Sequence, residues 1–139
     1  MDKTKQKIAF SFLIAIFLAA FEGVVVSTAA PVIVKSLHNF KMISWIFSIF
    51  LLTSAISTPI YGKLADLYGR KRIFMIGISI FLFGSLLAGL SQTMHQLIIF
   101  RGIQGIGAGA IFTIGFTMIG DIFTLEERSI IQGAISTIW

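Results

Sequence analysis

Four long apolar stretches, separated by short polar segments, constrain this chain more than any other feature. They cover residues 8–34, 43–61, 73–90 and 97–119. A helix needs about 20 mostly apolar residues to cross the hydrocarbon layer of a bilayer. A fifth apolar run covers residues 129–139, roughly half of such a span. The sequence therefore predicts an all-α integral membrane protein with four transmembrane helices and the start of a fifth, and we expect a fragment of a longer protein.

Charged residues are scarce and unevenly placed. They make up 12% of the chain, about half of their share in a soluble domain. One set of polar segments carries Lys3, Lys5, Lys7, Lys63, Arg70, Lys71, Arg72 and Arg128, and the alternate set carries Lys35 and Lys41. Because Lys and Arg accumulate in cytoplasmic loops, we predict a multi-pass cell-membrane protein with a cytoplasmic amino terminus. The same placement explains the net charge of +5 without a nucleic-acid partner. The first stretch is also much longer than the ~7–15 apolar residues of a signal peptide.

Two ionisable residues interrupt the apolar stretches. Glu22 lies in the middle of the first, and Arg101 lies in the outer half of the fourth. A charge at membrane depth is costly, so such residues usually face a bundle interior or an aqueous cavity. Glu22 is either a structural residue, paired or protonated, or a carboxylate that exchanges a proton as its surroundings change. We predict that Arg101 pairs with Glu22, the alternative being that it extends to the outer interface.

The fourth stretch also contains a small-residue pattern. Arg101, Gln104, Gly105 and Ala108 recur at helical spacing and are expected on one face. Gly105 and Gly109 form a small-xxx-small pair that lets another helix approach closely. The same glycines match part of a dinucleotide-binding fingerprint, but that motif requires a preceding strand, which a continuous apolar helix does not supply.

The segment Gly62-Lys-Leu-Ala-Asp66-Leu-Tyr-Gly69-Arg70-Lys-Arg is expected to form a tight basic turn between the second and third stretches. Asp66 and Arg70 are one helical turn apart and can pair. Gly69 suits a left-handed helix end. Asp121 emerges at the same side and is expected to join a charge cluster there. Alternatively, the turn only sets the orientation in the membrane.

Residues typical of enzymes are missing from the sequence. The chain has no cysteine, so it forms no disulfide and no cysteine-ligated metal site. His38 and His95 lie far apart in outer segments and are expected to be solvated. Since no nucleophile–base pair, metal spacing or phosphate loop is present, we predict no enzyme activity, no cofactor and no bound metal.

Four motifs together resemble the Major Facilitator Superfamily, in its fourteen-helix drug:proton antiporter branch. The segment 62–72 is similar to that family's loop between helices two and three, and the segment 101–109 resembles its fourth-helix motif. The segment 21–31 is similar to its first-helix motif, although Glu22 stands where Asp is commoner. The segment 121–128 resembles the exit from helix four. These resemblances cover nearly the whole chain.

The resemblance implies a partial amino-terminal six-helix half of a proton-driven exporter of amphipathic, often cationic compounds. It implies that Asp66, Gly69 and Arg70, with Gly62 and Asp121, form a cytoplasmic gate, and that Glu22, Arg101 and Gln104 couple proton and substrate movement. The partners implied are protons, an amphipathic small molecule, lipid and the remaining helices of the full-length transporter. This fold places its substrate cavity between two halves.

Two further interpretations fit the sequence less well. The chain is alternatively a complete four-helix exporter that acts as an oligomer, since such proteins also carry one glutamate in the first helix. The third interpretation is a non-transporting membrane protein, truncated or regulatory, that packs against a partner. The basic turn, Arg101 and the short fifth run favour the transporter fragment over both.

Overall fold

The computed structural model describes residues 2–139 and consists of helices joined by very short connections. The helices are α1 (Lys3–Leu37), α2 (Ile43–Tyr68), α3 (Arg70–Gly89), α4 (Met94–Ile122) and α5 (Leu125–Ile138), with a 3-10 turn at Phe40–Met42 before α2. In the part of the chain that is described, α1 to α4 are the four helices long and apolar enough to cross a membrane. The predicted all-helical membrane fold is thereby confirmed.

The helices continue further into the polar segments than the apolar stretches suggested. The turn expected over residues 62–72 shrinks to Gly69, because α2 runs to Tyr68 and α3 begins at Arg70. Gly69 has φ +93°, a left-handed conformation that side chains other than glycine rarely adopt. The polar segment after the fourth stretch is likewise mostly helical, with Phe123 and Thr124 alone between α4 and α5.

Helix α4 is the centre of the bundle, and nearly half of its residues are buried, with α2 packed on one side and α3 on the other. Small residues permit this close approach on both sides. A Cβ added at Gly109 would lie 2.9 Å from the carbonyl oxygen of Ser54 in α2. A Cβ added at Gly107 would lie 2.6 Å from the carbonyl oxygen of Gly77 in α3. Backbone-to-backbone packing of this kind is typical of helices in membranes.

An aromatic contact helps to pack helix α1 against α4. The Phe12 ring fills the space that a side chain at Gly115 would need. Its centroid lies 5.7 Å from that of Phe116 in an edge-on arrangement, and 6.4 Å from that of Phe74 in α3. Edge-on aromatic pairs are favourable at this separation. Phe12 therefore ties α1 to both α3 and α4.

Candidate functional site

Glu22 and Arg101 meet between α1 and α4. The Arg101 Nη1 atom lies 3.4 Å from Glu22 Oε1, at the edge of hydrogen-bonding distance. The Arg101 side chain is 3% exposed and that of Glu22 is 19% exposed. The structure thus places the two in-span ionisable residues together, and Arg101 does not extend to the interface.

Arg101 has further partners that do not depend on Glu22. Its Nη1 donates to Gln104 Oε1 at 2.7 Å, and its Nε lies 3.5 Å from the carbonyl oxygen of Ile46 in α2. Its Cζ lies 4.3 Å from the centre of the Phe50 ring, a cation–π contact. A buried guanidinium needs such compensation. Arg101 is therefore held in place by α2 and by its own helix.

Within residues 2–139, Glu22 has one other polar partner, which lies on α3. The Ser85 hydroxyl donates to Glu22 Oε2 at 3.2 Å. Each carboxylate oxygen of Glu22 therefore accepts from a different helix, Oε1 from α4 and Oε2 from α3. Sequence reasoning missed both Ser85 and Phe50. Ile46 and Phe50 are four residues apart and therefore lie on one face of α2, a spacing that could have indicated Phe50. No pattern in the sequence indicated Ser85.

The Glu22 site does not lie halfway along every helix that forms it. Ser85 lies four residues before Gly89, the last residue of α3, or about 6 Å along the axis. Arg101 lies about 10 Å from the start of α4 at Met94. The site is therefore in the half of the bundle away from the Gly69 turn, although Glu22 is near the middle of the long helix α1.

The face of α4 that carries Gln104 and Gly105 contacts two neighbouring helices. Gly105 faces α2, where an added Cβ would lie 2.5 Å from the carbonyl oxygen of Phe50, and Gly109 faces the same helix. Gln104 is fully buried and faces α3, where its backbone nitrogen would lie 2.7 Å from a Cβ added at Gly84. At helical spacing these residues share one face of α4, and that face lies against both α2 and α3. The Gln104 Nε2 atom has no hydrogen-bond partner within residues 2–139.

A second charged cluster lies at the end of the bundle that contains the Gly69 turn. Arg70 forms an ion pair with Asp121, and its Nη1 also donates to the Thr117 carbonyl oxygen at 3.3 Å. Asp66 lines a cavity of about 140 Å³ together with Gly62 and Arg70. The expected Asp66–Arg70 ion pair is not formed among residues 2–139, because the helix breaks at Gly69 and directs Arg70 towards α4. The structure does bring Asp121 into the cluster.

The start of α5 is fixed at the same end. Thr124 and Glu127 form a capping box, in which the Thr124 backbone N–H donates to Glu127 Oε2 at 3.0 Å. This hydrogen bond, assisted by the charge of Lys5 at 3.6 Å, holds the pKa of Glu127 below its usual range. Arg128 donates to the carbonyl oxygens of Gly120 and Phe123 and so completes the end of α4. Sequence reasoning had noted Arg128 only as a charge.

The larger cavity is not beside Glu22. It has a volume of about 650 Å³ and lies between α1, α3 and α4, near Lys7, Lys71 and Asp121. Phe12 and Phe74 belong to its mostly apolar wall. Neither Glu22 nor Arg101 lines this cavity, so the cavity and the ion pair are separate features of the bundle.

The helical bundle agrees with the family that the sequence motifs resemble. The family model described as the Major Facilitator Superfamily matches residues 12–139. The chain belongs to the Major Facilitator Superfamily. It is 41% identical to Multidrug resistance protein 3 of Bacillus subtilis (strain 168), over all of this chain and 28% of that protein. It is 43% identical to Multidrug transporter protein MdtP of the same organism, over 91% of this chain and 24% of that protein. Efflux pump dotC of Dothistroma septosporum is 39% identical over 91% of this chain and 22% of its own length.

Membership of this superfamily confirms the family resemblance that was inferred from the four motifs. The family and the relatives, as named, are transporters and not enzymes, which is the class expected from the sequence. With four membrane-capable helices, this superfamily member is a multi-pass membrane protein. The chain spans about a quarter of the length of the curated relatives it matches.

Proposed function

We propose that this chain forms the amino-terminal helices of a longer proton-coupled exporter of amphipathic compounds in the cell membrane, with its amino terminus in the cytoplasm. The names of the relatives support multidrug efflux, and their greater length supports a larger protein. In this proposal the 139 residues are one partial domain, and the remaining helices complete the cavity that receives the substrate. The basic residues near Gly69 support the orientation.

The observation that carries the proton-coupling proposal is the Glu22 carboxylate, held among apolar helices by Arg101 and Ser85. When ionised, it is stabilised by the Arg101 charge 3.4 Å away. When it takes a proton, this attraction is lost, and one of the contacts that hold α1 to α4 is weakened. A carboxyl group that alternates in this way links proton movement to the arrangement of the helices. Gln104 shares the coupling role by holding Arg101 through its Oε1 atom.

In the same proposal, the cluster of Gly62, Asp66, Gly69, Arg70 and Asp121 forms the cytoplasmic gate. The Arg70–Asp121 ion pair joins the start of α3 to the end of α4, and the side chains are partly exposed. Such exposed pairs contribute little to stability, typically under about 1 kcal/mol, and so can break and re-form as the gate opens. Gly69 supplies the sharp connection that brings Arg70 to Asp121.

Proton-driven efflux from vesicles tests the role of Glu22. We expect Glu22→Gln in the intact transporter to abolish uphill drug transport driven by a pH gradient, because the amide cannot exchange a proton. Glu126→Gln is the matched control, since Glu126 is an exposed acid in the first turn of α5. Wild-type proton-driven efflux by Glu22→Gln would refute the proposed coupling role.

A further inference from the structure

The Ser85 hydroxyl is used differently from most other hydroxyls in the transmembrane helices. Ser11, Ser27 and Ser79 each donate to a backbone carbonyl four residues earlier in their own helix. Thr28 and Thr58 do the same. This local bond is the usual one for Ser and Thr inside a helix. Ser85 instead donates to Glu22, a side chain 63 positions away in the sequence and on another helix.

Ser85 and Arg101 bind different oxygens of the same Glu22 carboxylate. Glu22 Oε1 accepts from Arg101 and Oε2 accepts from Ser85, so the carboxylate is held from two sides. Arg101 is the only charged group paired with Glu22 among residues 2–139, and α2 presents its Ile46 carbonyl and Phe50 ring to Arg101. From α3, the polar contact to Glu22 is the Ser85 hydroxyl.

The two partners of Glu22 respond differently when the carboxyl gains a proton. A guanidinium only donates hydrogen bonds and carries a positive charge, so Arg101 favours the ionised form and cannot accept the O–H of the acid. A hydroxyl both donates and accepts, so Ser85 can donate to the carboxylate or accept from the carboxylic acid after a rotation of its O–H bond. Ser85 therefore has a hydrogen bond to offer Glu22 in both protonation states.

We propose that Ser85 is a positioning residue that holds the Glu22 carboxyl group in both protonation states and sets the pH at which it exchanges its proton. This inference rests on the proposed function of Glu22 and deepens it. Hydrogen bonds to a charged group are stronger than those between neutral groups. Loss of the hydroxyl therefore penalises the carboxylate more than the acid, and proton affinity rises.

The test is an infrared titration of the intact transporter in lipid nanodiscs, which does not require transport. The carbonyl band of protonated Glu22 is identified by its absence in Glu22→Gln. We expect Ser85→Ala to shift the titration midpoint to higher pH, by about a three- to tenfold increase in proton affinity, and to shift the band frequency. Ser85→Thr keeps the hydroxyl and is expected to restore the midpoint to within about twofold of wild type.

Ser79→Ala is the matched control, because it removes a hydroxyl from the same helix that bonds only the Met75 carbonyl. It is expected to leave the midpoint and the band unchanged. An unchanged midpoint in Ser85→Ala, or an equal shift in Ser79→Ala, would overturn the inference while leaving proton-driven efflux intact. Efflux that survives Glu22→Gln would instead remove the proposed function, whatever the infrared result. The pH profile of efflux should follow the midpoint in each Ser85 variant.

Discussion

At the scale of single residues, Arg101 is anchored far more firmly than Glu22. Arg101 contacts Gln104, the Ile46 carbonyl and the Phe50 ring in addition to Glu22. Glu22 has Arg101 and Ser85 as its partners. Removing one member of a buried pair leaves the other charge uncompensated. The two residues therefore differ in what their loss leaves behind.

A double-mutant cycle on thermal unfolding in detergent tests this difference. We expect Arg101→Gln to destabilise the protein more than Glu22→Gln, because Arg101 keeps three partners without Glu22. The double variant should show a coupling free energy of about 0.5–3 kcal/mol, as is usual for contacting residues. The Lys5–Glu127 pair is the control, since its side chains are more exposed and pairs of this kind couple by about 1 kcal/mol or less. Additive effects of the Glu22 and Arg101 variants would contradict direct coupling.

At the scale of helices, α4 organises the bundle because its small residues admit α2 and α3 closely on both sides. Gly105 and Gly109 meet α2, while Gly107 meets α3. In lipid, helix association depends on such packing, since apolar burial alone gains little against lipid tails. The contacts of α1 with the bundle are sparser and include the aromatic contact of Phe12. This difference makes α1 the element best placed to shift.

Adding one methyl group to α4 should measure how tight the packing is. We expect Gly105→Ala to lower the free energy of unfolding by about 1–3 kcal/mol, because its Cβ would overlap the backbone at Phe50. Gly23→Ala in α1 is the matched control, since nothing lies within 4 Å of a Cβ there. That variant should be neutral or stabilising by up to about 1 kcal/mol, the helix preference of alanine over glycine. Equal effects of the two variants would show that the α2–α4 contact is not close.

The capping box at the start of α5 predicts a pH dependence. The Thr124 backbone N–H and Lys5 hold the pKa of Glu127 below its usual range. A carboxyl whose folded-state pKa is lowered stabilises the fold above its unfolded pKa of about 4.3, and this stabilisation is lost as pH falls through the lower folded value. Hydrogen-exchange protection of the first turn of α5 should therefore decrease below about pH 4. Glu127→Gln should remove this pH dependence, whereas Glu126→Gln should retain it.

The sequence predicted the helices and the charged partners better than it predicted their surroundings. Apolar length defined four spans, and the cost of charge in lipid indicated that Glu22 and Arg101 would meet. The polar segments remained helical because water at a membrane surface does not prevent a helix from continuing, so only Gly69 was needed to separate α2 from α3. Ser85 could not be predicted, because its partner depends on how α1 and α3 are rotated relative to one another.

At the scale of the whole molecule, the ends of the bundle differ in charge. The amino terminus, the Gly69 turn and the α4–α5 connection lie together, as the Lys5–Glu127 and Arg70–Asp121 pairs show. Most of the lysines and arginines are at this end. The opposite end carries Lys35 and Lys41. By the positive-inside rule, the more basic end is predicted to face the cytoplasm.

Single cysteines can test the orientation, because the 139 residues contain none of their own. We expect Lys41→Cys to react with a membrane-impermeant maleimide in intact cells, since Lys41 is exposed at the less basic end. Lys3→Cys should react only after the cells are permeabilised. The parent protein without added cysteine gives the background. The reverse pattern of labelling would contradict a cytoplasmic amino terminus.

The firm anchoring of Arg101 has an electrical consequence. Under the proposed coupling, with the guanidinium held by its other partners, each proton taken up by Glu22 changes the pair from net neutral to one positive charge. A transmembrane voltage exerts force on the second state alone, with about 2.3 kcal/mol per charge for a full crossing at 100 mV. Transport by the intact protein should therefore be electrogenic at the protonated step, even for an uncharged cargo.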